Sequence, residues 1–357
     1  MLVLLAVVQP VNAKDHIVKK DSGIFIEVES FSYSEPAAIK QLIDSFEGPE
    51  PDSGEVAFTF NKAAIGGHFG SWEVAVFTRY DYLLEFNSDT VELVYREEND
   101  LPFPIDRTYH INLEPNHIQA NGISLAKSFQ VHKNVILTPT INYLDADSVT
   151  RGYLRGEVSV DEQGDYEGEL LLNYIYEEDI LLDREQETIS GKGYSIDFSA
   201  YWKINDKLYA ALDFVDLYSE IQWNDVTFTQ ARANTNNVIF DDEGRLQAVP
   251  LLSGIESFRD FTQTLPFRGR YEITYNFYKN LSLTGEVKQV EEYLYPRLAL
   301  GADWGRWGIV GGYQFETEAI DLRLITPYLD LFLAADSSDY EDARSITVGL
   351  SIRLPIF

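Results

Sequence analysis

Charged and amide side chains occur at every second position of several otherwise apolar segments. They are Asp197, Asp213, Glu272, Glu286, Lys288, Arg297, Asp303, Gln314 and Glu316. If these segments cross a membrane as strands, a Lys or Arg that faces lipid costs about 2–4 kcal/mol at the bilayer midplane, so such side chains point into the lumen. There they line a path for water and solutes, and a net acidic lumen favours cations or neutral solutes. Alternatively, the same carboxylates form salt bridges with Arg and Lys that close the interior.

The segments that carry these residues alternate strictly between apolar and polar positions. Tyr194–Trp202 shows the pattern most clearly, and similar segments begin at Leu208, Tyr271, Leu281 and Leu298. Alternation with a period of two gives a strand one apolar face and one wet face. The segments run for about nine to thirteen residues, which suits a tilted membrane strand better than the five or six residues usual in globular proteins.

Short and long connections separate these segments. Such a mixture is typical of outer-membrane barrels, in which the short turns face the periplasm. The sequence therefore predicts an all-β fold, an antiparallel transmembrane β-barrel of about 16 strands, within a range of roughly 14 to 18. A soluble secreted β-sandwich is the alternative, because alternation is equally expected there. The short turn signals are Asn205-Asp206, Lys279-Asn280, Gly305-Arg306 and Gly164-Asp165, and the long polar stretches are 179–190, 233–262 and 335–343.

The C-terminal residues and the tryptophans fit the same fold. Arg344–Phe357 alternates as a closing strand, and Phe357 is predicted to be the signal that the barrel-assembly machinery recognises. A membrane barrel has to pair its last strand with its first, because an open edge in lipid leaves backbone groups unsatisfied. Membrane-interface aromatics are predicted at strand ends, namely Trp72, Trp202, Trp304 and Trp307.

The N-terminal part divides into a leader and a second segment. Residues 1–13 read as a signal peptide, because a short apolar run precedes Val11-Asn12-Ala13. Residues 14–53 are predicted as a periplasmic or plug segment with a short amphipathic helix at 36–47, for which an ordinary surface helix is the alternative. The barrel is predicted over 54–357, with 23–33 as a candidate first strand.

Composition excludes several classes of function. The formal charge is 28 − 58 = −30, which excludes a general nucleic-acid binder because such proteins need a basic surface. The absence of cysteine excludes thiol catalysis, Cys-based zinc sites and disulfides.

Residues for catalysis or metal binding do not form a recognisable motif. His110, His117 and Ser124 leave a lipid-modifying hydrolase as a minor alternative, but no G-x-S-x-G pattern is present. The acidic clusters lack EF-hand spacing, so we expect no metal site or cofactor beyond loose Ca²⁺ or Mg²⁺ at acidic loops. We expect no enzymatic activity.

Two stretches carry a family resemblance. Gly191–Trp223 combines a Gly-rich entry, a strand with Asp197, an Asn-Asp turn and a strand that ends on Trp, and Leu298–Asp303 and Gly311–Tyr313 continue the rhythm. Over roughly the last half of the chain, this weakly resembles the FadL-like superfamily of outer-membrane proteins, particularly its conjugal-TraF-like branch. Fatty-acid transporters of that superfamily carry an Asn-Pro-Ala motif in their plug. Here Glu35-Pro36-Ala37 stands instead, which counts against fatty-acid uptake.

These patterns predict a passive channel or transporter for a small solute in the outer membrane of a Gram-negative bacterium. The alternative is a non-conducting barrel that anchors, or is an accessory subunit of, an envelope or surface assembly. The expected partners are outer-membrane lipids and lipopolysaccharide, the assembly machinery during biogenesis, and an envelope protein in the second case, but not nucleic acid.

Overall fold

The protein is described here by a computed structural model. It describes residues 22–162, 166–176, 189–234, 238–240, 246–248 and 251–356. The predicted signal peptide 1–13 and the predicted assembly signal Phe357 lie outside these ranges.

The described residues form nineteen strands and two short helices. The helices are α1 (Ile39–Ile43) and α2 (Ser88–Glu98). The strands are β1 (Ser22–Ser34), β2 (Val56–Phe69), β3 (Trp72–Phe86), β4 (Arg107–Lys127), β5 (Phe129–His132), β6 (Val135–Val160), β7 (Tyr166–Tyr176), β8 (Gly191–Lys203), β9 (Leu208–Asn234), β10 (Val238–Phe240), β11 (Leu246–Ala248), β12 (Leu251–Gln263), β13 (Arg268–Tyr278), β14 (Leu281–Val290), β15 (Tyr293–Asp303), β16 (Gly308–Gln314), β17 (Ile320–Ile325), β18 (Leu329–Ala335) and β19 (Ser345–Ile356).

Fourteen of these strands close into an antiparallel barrel. Its order is β1, β2, β3, β4, β6, β8, β9, β13 and then β14 to β19, and β19 pairs with β1 to close the ring. The predicted all-β barrel is confirmed, and its 14 strands lie at the lower end of the predicted range of 14 to 18, below the central value of about 16. The count was too high because β5, β7 and β12 lie outside the ring. β7 and β12 pair with the parts of β6 and β9 that extend beyond it.

Short turns and long connections lie at opposite ends of the barrel. Turns such as Gly70-Ser71 and Lys279-Asn280 join strands at one end, where β1 begins and β19 ends. Both helices lie at the other end, α1 between β1 and β2 and α2 between β3 and β4. Of the predicted N-terminal segment 14–53 the structure describes residues 22–53, and the candidate first strand at 23–33 forms β1. Ser22–Ser34 is part of the wall, and α1 lies at the end of the long connections.

The outer face of the barrel is an apolar belt. Outward-facing Ile26, Val76, Ile273 and Leu300 are exposed by 45%, 52%, 55% and 61%. A continuous apolar surface of this kind is what a barrel presents to lipid. Among the residues that the structure describes, no helix is both long and apolar enough to cross a bilayer.

The tryptophans predicted at the membrane interface gather at one end of this belt. Trp72 follows the β2–β3 turn, Trp202 stands near the end of β8, and Trp304 and Trp307 flank the β15–β16 turn. All four rings are exposed at the short-turn end. The arrangement suits an aromatic girdle, and the contact with lipid headgroups stays a prediction.

Candidate functional site: the barrel interior

The pairing of neighbouring strands decides which side chains face the interior. Glu29 of β1 lies opposite Lys62 of β2, and Lys62 lies opposite Arg79 of β3. Farther round the wall, Arg270 of β13 lies opposite Lys288 of β14. Because directly opposed residues share one face of a sheet, these charged side chains project from the inner face of the wall.

An ion cluster crosses the interior between β3 and β9. Arg79 donates hydrogen bonds to both carboxylate oxygens of Asp216, with Nη1–Oδ1 3.0 Å and Nη2–Oδ2 2.7 Å, and also contacts Asp81. Arg268 donates to Asp216 at 3.1 Å. Arg79 is 4% exposed and Asp216 is 3% exposed. Since β3 and β9 are not neighbours in the ring, this Arg79 cluster (Arg79, Asp81, Asp216 and Arg268) ties opposite parts of the wall together.

A distortion of β9 aims Asp216 into this cluster. Asp216 has a φ of 55°, a left-handed conformation that is uncommon for a residue other than glycine. The pairing of β8 with β9 shifts register between Ile196 and Phe198, beside this bend. The Asp216 backbone N–H donates to the Asp197 carboxylate at 2.9 Å, and Asn142 donates to the same carboxylate at 2.8 Å. Asp197 therefore holds the backbone bend.

A second ion cluster lies around Arg270. Its guanidinium donates to Asp213 at 2.6 Å and 3.0 Å, to Glu272 at 3.0 Å and to Glu286 at 3.3 Å. The neighbouring Arg297 forms two hydrogen bonds to the Asp321 carboxylate, at 2.7 Å and 2.6 Å. All of these side chains are buried. In this part of the interior the carboxylates and arginines pair with one another across the space, so they do not line an open channel.

Apolar packing fills the part of the interior between β3 and β9. Trp223 Nε1 donates to Gln263 Oε1 at 3.0 Å, and Gln263 Nε2 donates to Asn116 Oδ1 at 2.9 Å. Asn116 belongs to β4 and Gln263 to β12, which do not pair with each other. The buried side chains around this link include Phe77, Ile118, Leu144, Val149, Ile221 and Trp223.

An aromatic cap closes the interior toward the end of the long connections. Tyr295 of β15 meets Phe31, Tyr33 and Phe58, with ring centroids 5.9, 5.4 and 5.6 Å apart. These separations are typical of aromatic pairs, most of which are edge-to-face here. Since β15 lies far from β1 and β2 around the ring, the contacts span the interior. The aromatic cap consists of Phe31, Tyr33, Phe58, Phe60, Tyr293 and Tyr295.

The exposure of one inward-facing side chain points to an inner chamber between the cap and the ion clusters. Glu29 stands in the middle of β1 and faces inward, yet it is exposed. A side chain inside a closed wall can stay accessible only if it borders an internal space. Its neighbours on the inner face are half-buried and not fully buried. We define the inner chamber by Glu29 and the half-buried inner-face residues Phe31, Lys62, Lys288, Arg323 and Phe332, of which Lys288 lies 4.6 Å from the ring centroid of Phe31 and 5.6 Å from that of Phe332.

The structure places most of the predicted lumen residues inside the barrel. Asp213, Glu272, Glu286 and Arg297 belong to the ion clusters, Asp197 holds the β9 bend, and Lys288 lines the chamber. Asp303 is buried at the end of β15, where its carboxylate accepts a hydrogen bond from the Gly305 backbone N–H at 2.5 Å. Gln314 is buried as well.

Glu316 does not line the lumen. The strand β16 ends at Gln314, and Glu316 lies exposed in the connection to β17. The alternation in the sequence had been extended past the end of the strand.

Several interior residues were missed by the sequence interpretation. Glu29, Lys62, Arg79, Asp216 and Arg268 contribute to the chamber or to the Arg79 cluster. Glu29 was missed because 23–33 was given only as a candidate first strand and its wet face was not assigned, although Ile24, Ile26 and Val28 alternate with it. No local signal marks the contact between Arg79 and Asp216, which are 137 positions apart.

The candidate hydrolase residues do not come together. Ser124 and His117 stand on opposite faces of β4, because their positions differ by seven, an odd number. His117 is buried, its Nδ1 pairs with the Asp81 carbonyl oxygen at 2.8 Å and its Nε2 with Ser148 Oγ at 3.0 Å. His110 lies near Glu157 at the surface, at 3.1 Å. Within the described ranges, no three His, Asp or Glu side chains form a group that could hold a metal ion.

No known protein family and no curated protein sequence matches the chain. Solved structures of similar architecture include a TodX variant described as a monoaromatic hydrocarbon channel, with 9% identity, a TM-score of 0.49, and coverage of 99% of this chain and 94% of that one. The Pseudomonas putida toluene transporter TodX has 9% identity to this chain and a TM-score of 0.46, and the match covers 98% of this chain and 92% of that one. A Pseudomonas aeruginosa FadL homologue has 10% identity and a TM-score of 0.39, and the match covers 93% of this chain and 88% of that one.

The expected weak resemblance to the FadL-like superfamily fits these matches. The narrower resemblance to the TraF-like branch stays a prediction. At these identities and TM-scores, the likeness carries no argument about substrate or mechanism.

Proposed function

We propose that this chain is a passive channel for a small solute in the outer membrane of a Gram-negative bacterium. The observation that carries the proposal is the inner chamber, in which Glu29 faces inward at mid-wall and is still exposed. A barrel that serves only as an anchor needs no accessible space inside its wall. A conduit needs one.

The closures around the chamber are side-chain contacts. The aromatic cap closes it on one side and the Arg79 cluster lies across the interior on the other. Opening these closures requires changes of side-chain rotamers and no change in the strands that form the wall. The proposed channel therefore passes solutes when the cap side chains and the side-chain contacts across the interior both move, and we take the cap as the closure that limits the rate.

A second candidate function is a non-conducting barrel that serves as an anchor or accessory subunit of an envelope assembly. The buried ion clusters and the apolar packing between β3 and β9 favour it, because they fill much of the interior. For both functions we propose that the apolar belt contacts outer-membrane lipids, including lipopolysaccharide of the outer leaflet. The barrel-assembly machinery is the proposed partner during biogenesis. An envelope protein partner belongs to the second case alone.

Swelling of proteoliposomes separates the two functions. We expect vesicles with the protein to swell in isotonic solutions of small neutral sugars, at rates that fall as the sugar becomes larger. Phe58→Ala with Tyr295→Ala removes two rings of the cap and should raise the rate several-fold. Leu300→Ala, on the outer face, is the matched control and should leave it unchanged. If neither the protein nor the cap variant permits swelling, the barrel is non-conducting and the channel proposal is wrong.

A further inference from the structure

We propose that a basic arc at the short-turn end of the barrel binds the headgroups of anionic phospholipids in the adjacent leaflet. The basic arc consists of Lys127, Lys133, Lys203, Lys207, Lys279 and Arg306. This inference rests on the membrane location in the proposed function, but it does not depend on whether the barrel conducts.

Charge is distributed unevenly between the two ends of the barrel. The long connections at 35–55, 87–106, 291–292, 315–319 and 336–344 carry 20 acidic and 3 basic residues, so their net charge is 3 − 20 = −17. The short-turn segments at 70–71, 127–134, 203–207, 279–280, 304–307 and 326–328 carry 6 basic residues and 1 acidic residue, so their net charge is 6 − 1 = +5. Glu73 and Asp303, which adjoin these segments, are buried. The short-turn end is therefore basic in a strongly acidic protein.

The cations of the arc have few partners within the protein. The one acidic residue of the short-turn segments, Asp206, pairs with Lys203 at 2.8 Å. Among the residues that the structure describes, no carboxylate lies within 4.0 Å of the side-chain nitrogens of the other five cations of the arc. Five positive charges thus remain available to an anionic ligand outside the barrel.

Backbone hydrogen bonds join the turns that carry the arc into one rim. They run from Ser128 N to Ser71 O, from Lys203 N to Asn134 O, from Asn276 N to Lys207 O and from Asp303 N to Asn280 O, at 2.8, 2.8, 2.8 and 2.9 Å. The rim is therefore continuous from the β2–β3 turn to the β15–β16 turn. The rest of the short-turn end, at 326–328 and 354–356, contains no charged residue.

Exposed aromatic rings stand beside the cations. Lys127 Nζ lies 4.4 Å from the ring centroid of Trp72 and 5.1 Å from that of Phe129. Arg306 lies in the chain between Trp304 and Trp307, and both of these rings are exposed. Rings at the border of an apolar belt sit at the level of the lipid headgroups. The bilayer itself thus brings phosphate groups to the arc, and a Lys or Arg near an anionic lipid surface strengthens the attraction by about fivefold.

Quenching of tryptophan fluorescence by brominated phospholipids tests the proposal. Four of the five tryptophans lie at this rim, and Trp223 is buried in the interior. The full chain is placed in vesicles of equal parts phosphatidylcholine and phosphatidylglycerol, with bromine on one lipid or on the other. We expect a preference for phosphatidylglycerol of at least threefold, which shrinks as added salt screens the charges.

Two double variants with the same loss of charge locate the contact. Lys127→Gln with Arg306→Gln should reduce the preference at least twofold, because both cations stand beside the reporting rings. Lys40→Gln with Arg96→Gln removes two cations from the long connections and should leave the preference unchanged. Heat-modifiable migration on a gel shows that each variant is folded before quenching is measured.

The outcomes separate this inference from the channel proposal. Equal quenching by the two lipids would overturn the inference, and so would a preference that survives in full in Lys127→Gln with Arg306→Gln. If inorganic phosphate abolishes the preference and sodium chloride of equal ionic strength does not, the arc holds a free phosphate ion, which would also overturn it. A preference for phosphatidylglycerol without sugar swelling would refute the channel and leave the inference.

Discussion

Replacing Arg79 by Met removes the cation that crosses the interior. In the folded protein its guanidinium holds both oxygens of Asp216 and contacts Asp81, and all three groups are nearly inaccessible to solvent. Removing one partner of a buried ion pair costs about 3–5 kcal/mol, because a desolvated charge is left behind. Here Arg268 remains 3.1 Å from Asp216, so we expect a loss of free energy of unfolding at the lower end, about 3 kcal/mol.

The loss can be measured by urea unfolding in lipid vesicles, followed by the fluorescence of the five tryptophans. Arg96→Met in α2 is the matched control. Its pair with Glu92, at 2.7 Å, is a partly exposed helix pair, for which about 0.3–0.5 kcal/mol is usual. Adding Asp81→Asn and Asp216→Asn to Arg79→Met should restore part of the stability, because the stranded charges are gone. If Arg79→Met costs no more than the control, the cluster is not the buried link described above.

Three further predictions follow from the same structure. Tyr295→Ala alone should raise single-channel conductance, because the ring touches three others across the interior, and unchanged current would show that the cap is not a closure. Trp304→Ala with Trp307→Ala should slow insertion into vesicles without altering conductance, and equal insertion rates would show that the girdle has no role. The hydrogen bond to Glu341 raises the pKa of Lys40, so the contribution of this pair to stability is present below the ordinary lysine pKa and is lost as the pH rises through the raised pKa. Because both side chains are exposed, Lys40→Gln should leave the unfolding temperature at pH 7 unchanged within error, and a marked drop would show that the α1 contact is structural.

The alternation of apolar and polar residues was sufficient to predict the barrel and most of its inner face. Each strand buries one face and shows the other to lipid, so the period of two survives in the sequence wherever the wall is regular. Asp197, Asp213, Glu272, Glu286, Arg297 and Lys288 were predicted to face the lumen for this reason, and in the structure they are buried or half-buried. The strand count was too high because β6 and β9, with 26 and 27 residues, extend beyond the ring and pair there with added strands.

Local sequence patterns could not decide whether the interior is open or closed by salt bridges. The contact of Arg79 with Asp216 joins residues 137 positions apart and depends on a bend in β9 that no local motif predicts. The chamber depends on Glu29, whose strand was predicted only as a candidate first strand of the barrel, with no residue of it assigned to the lumen. The prediction that Glu316 lines the lumen is wrong because alternation alone does not show that β16 ends at Gln314. The turn that follows contains Glu318 with a φ of 52°, which the sequence does not reveal.

The most direct test of the central claim is the accessibility of position 29. The chain contains no cysteine, so a single Glu29→Cys substitution gives one thiol that can be followed without background. Thr274→Cys, inward but buried, is the matched control. With the protein in vesicles, we expect a small charged thiol reagent to label position 29 rapidly and position 274 at least tenfold more slowly. Equal and slow labelling at both positions would show that the interior is filled and that the inner chamber does not exist.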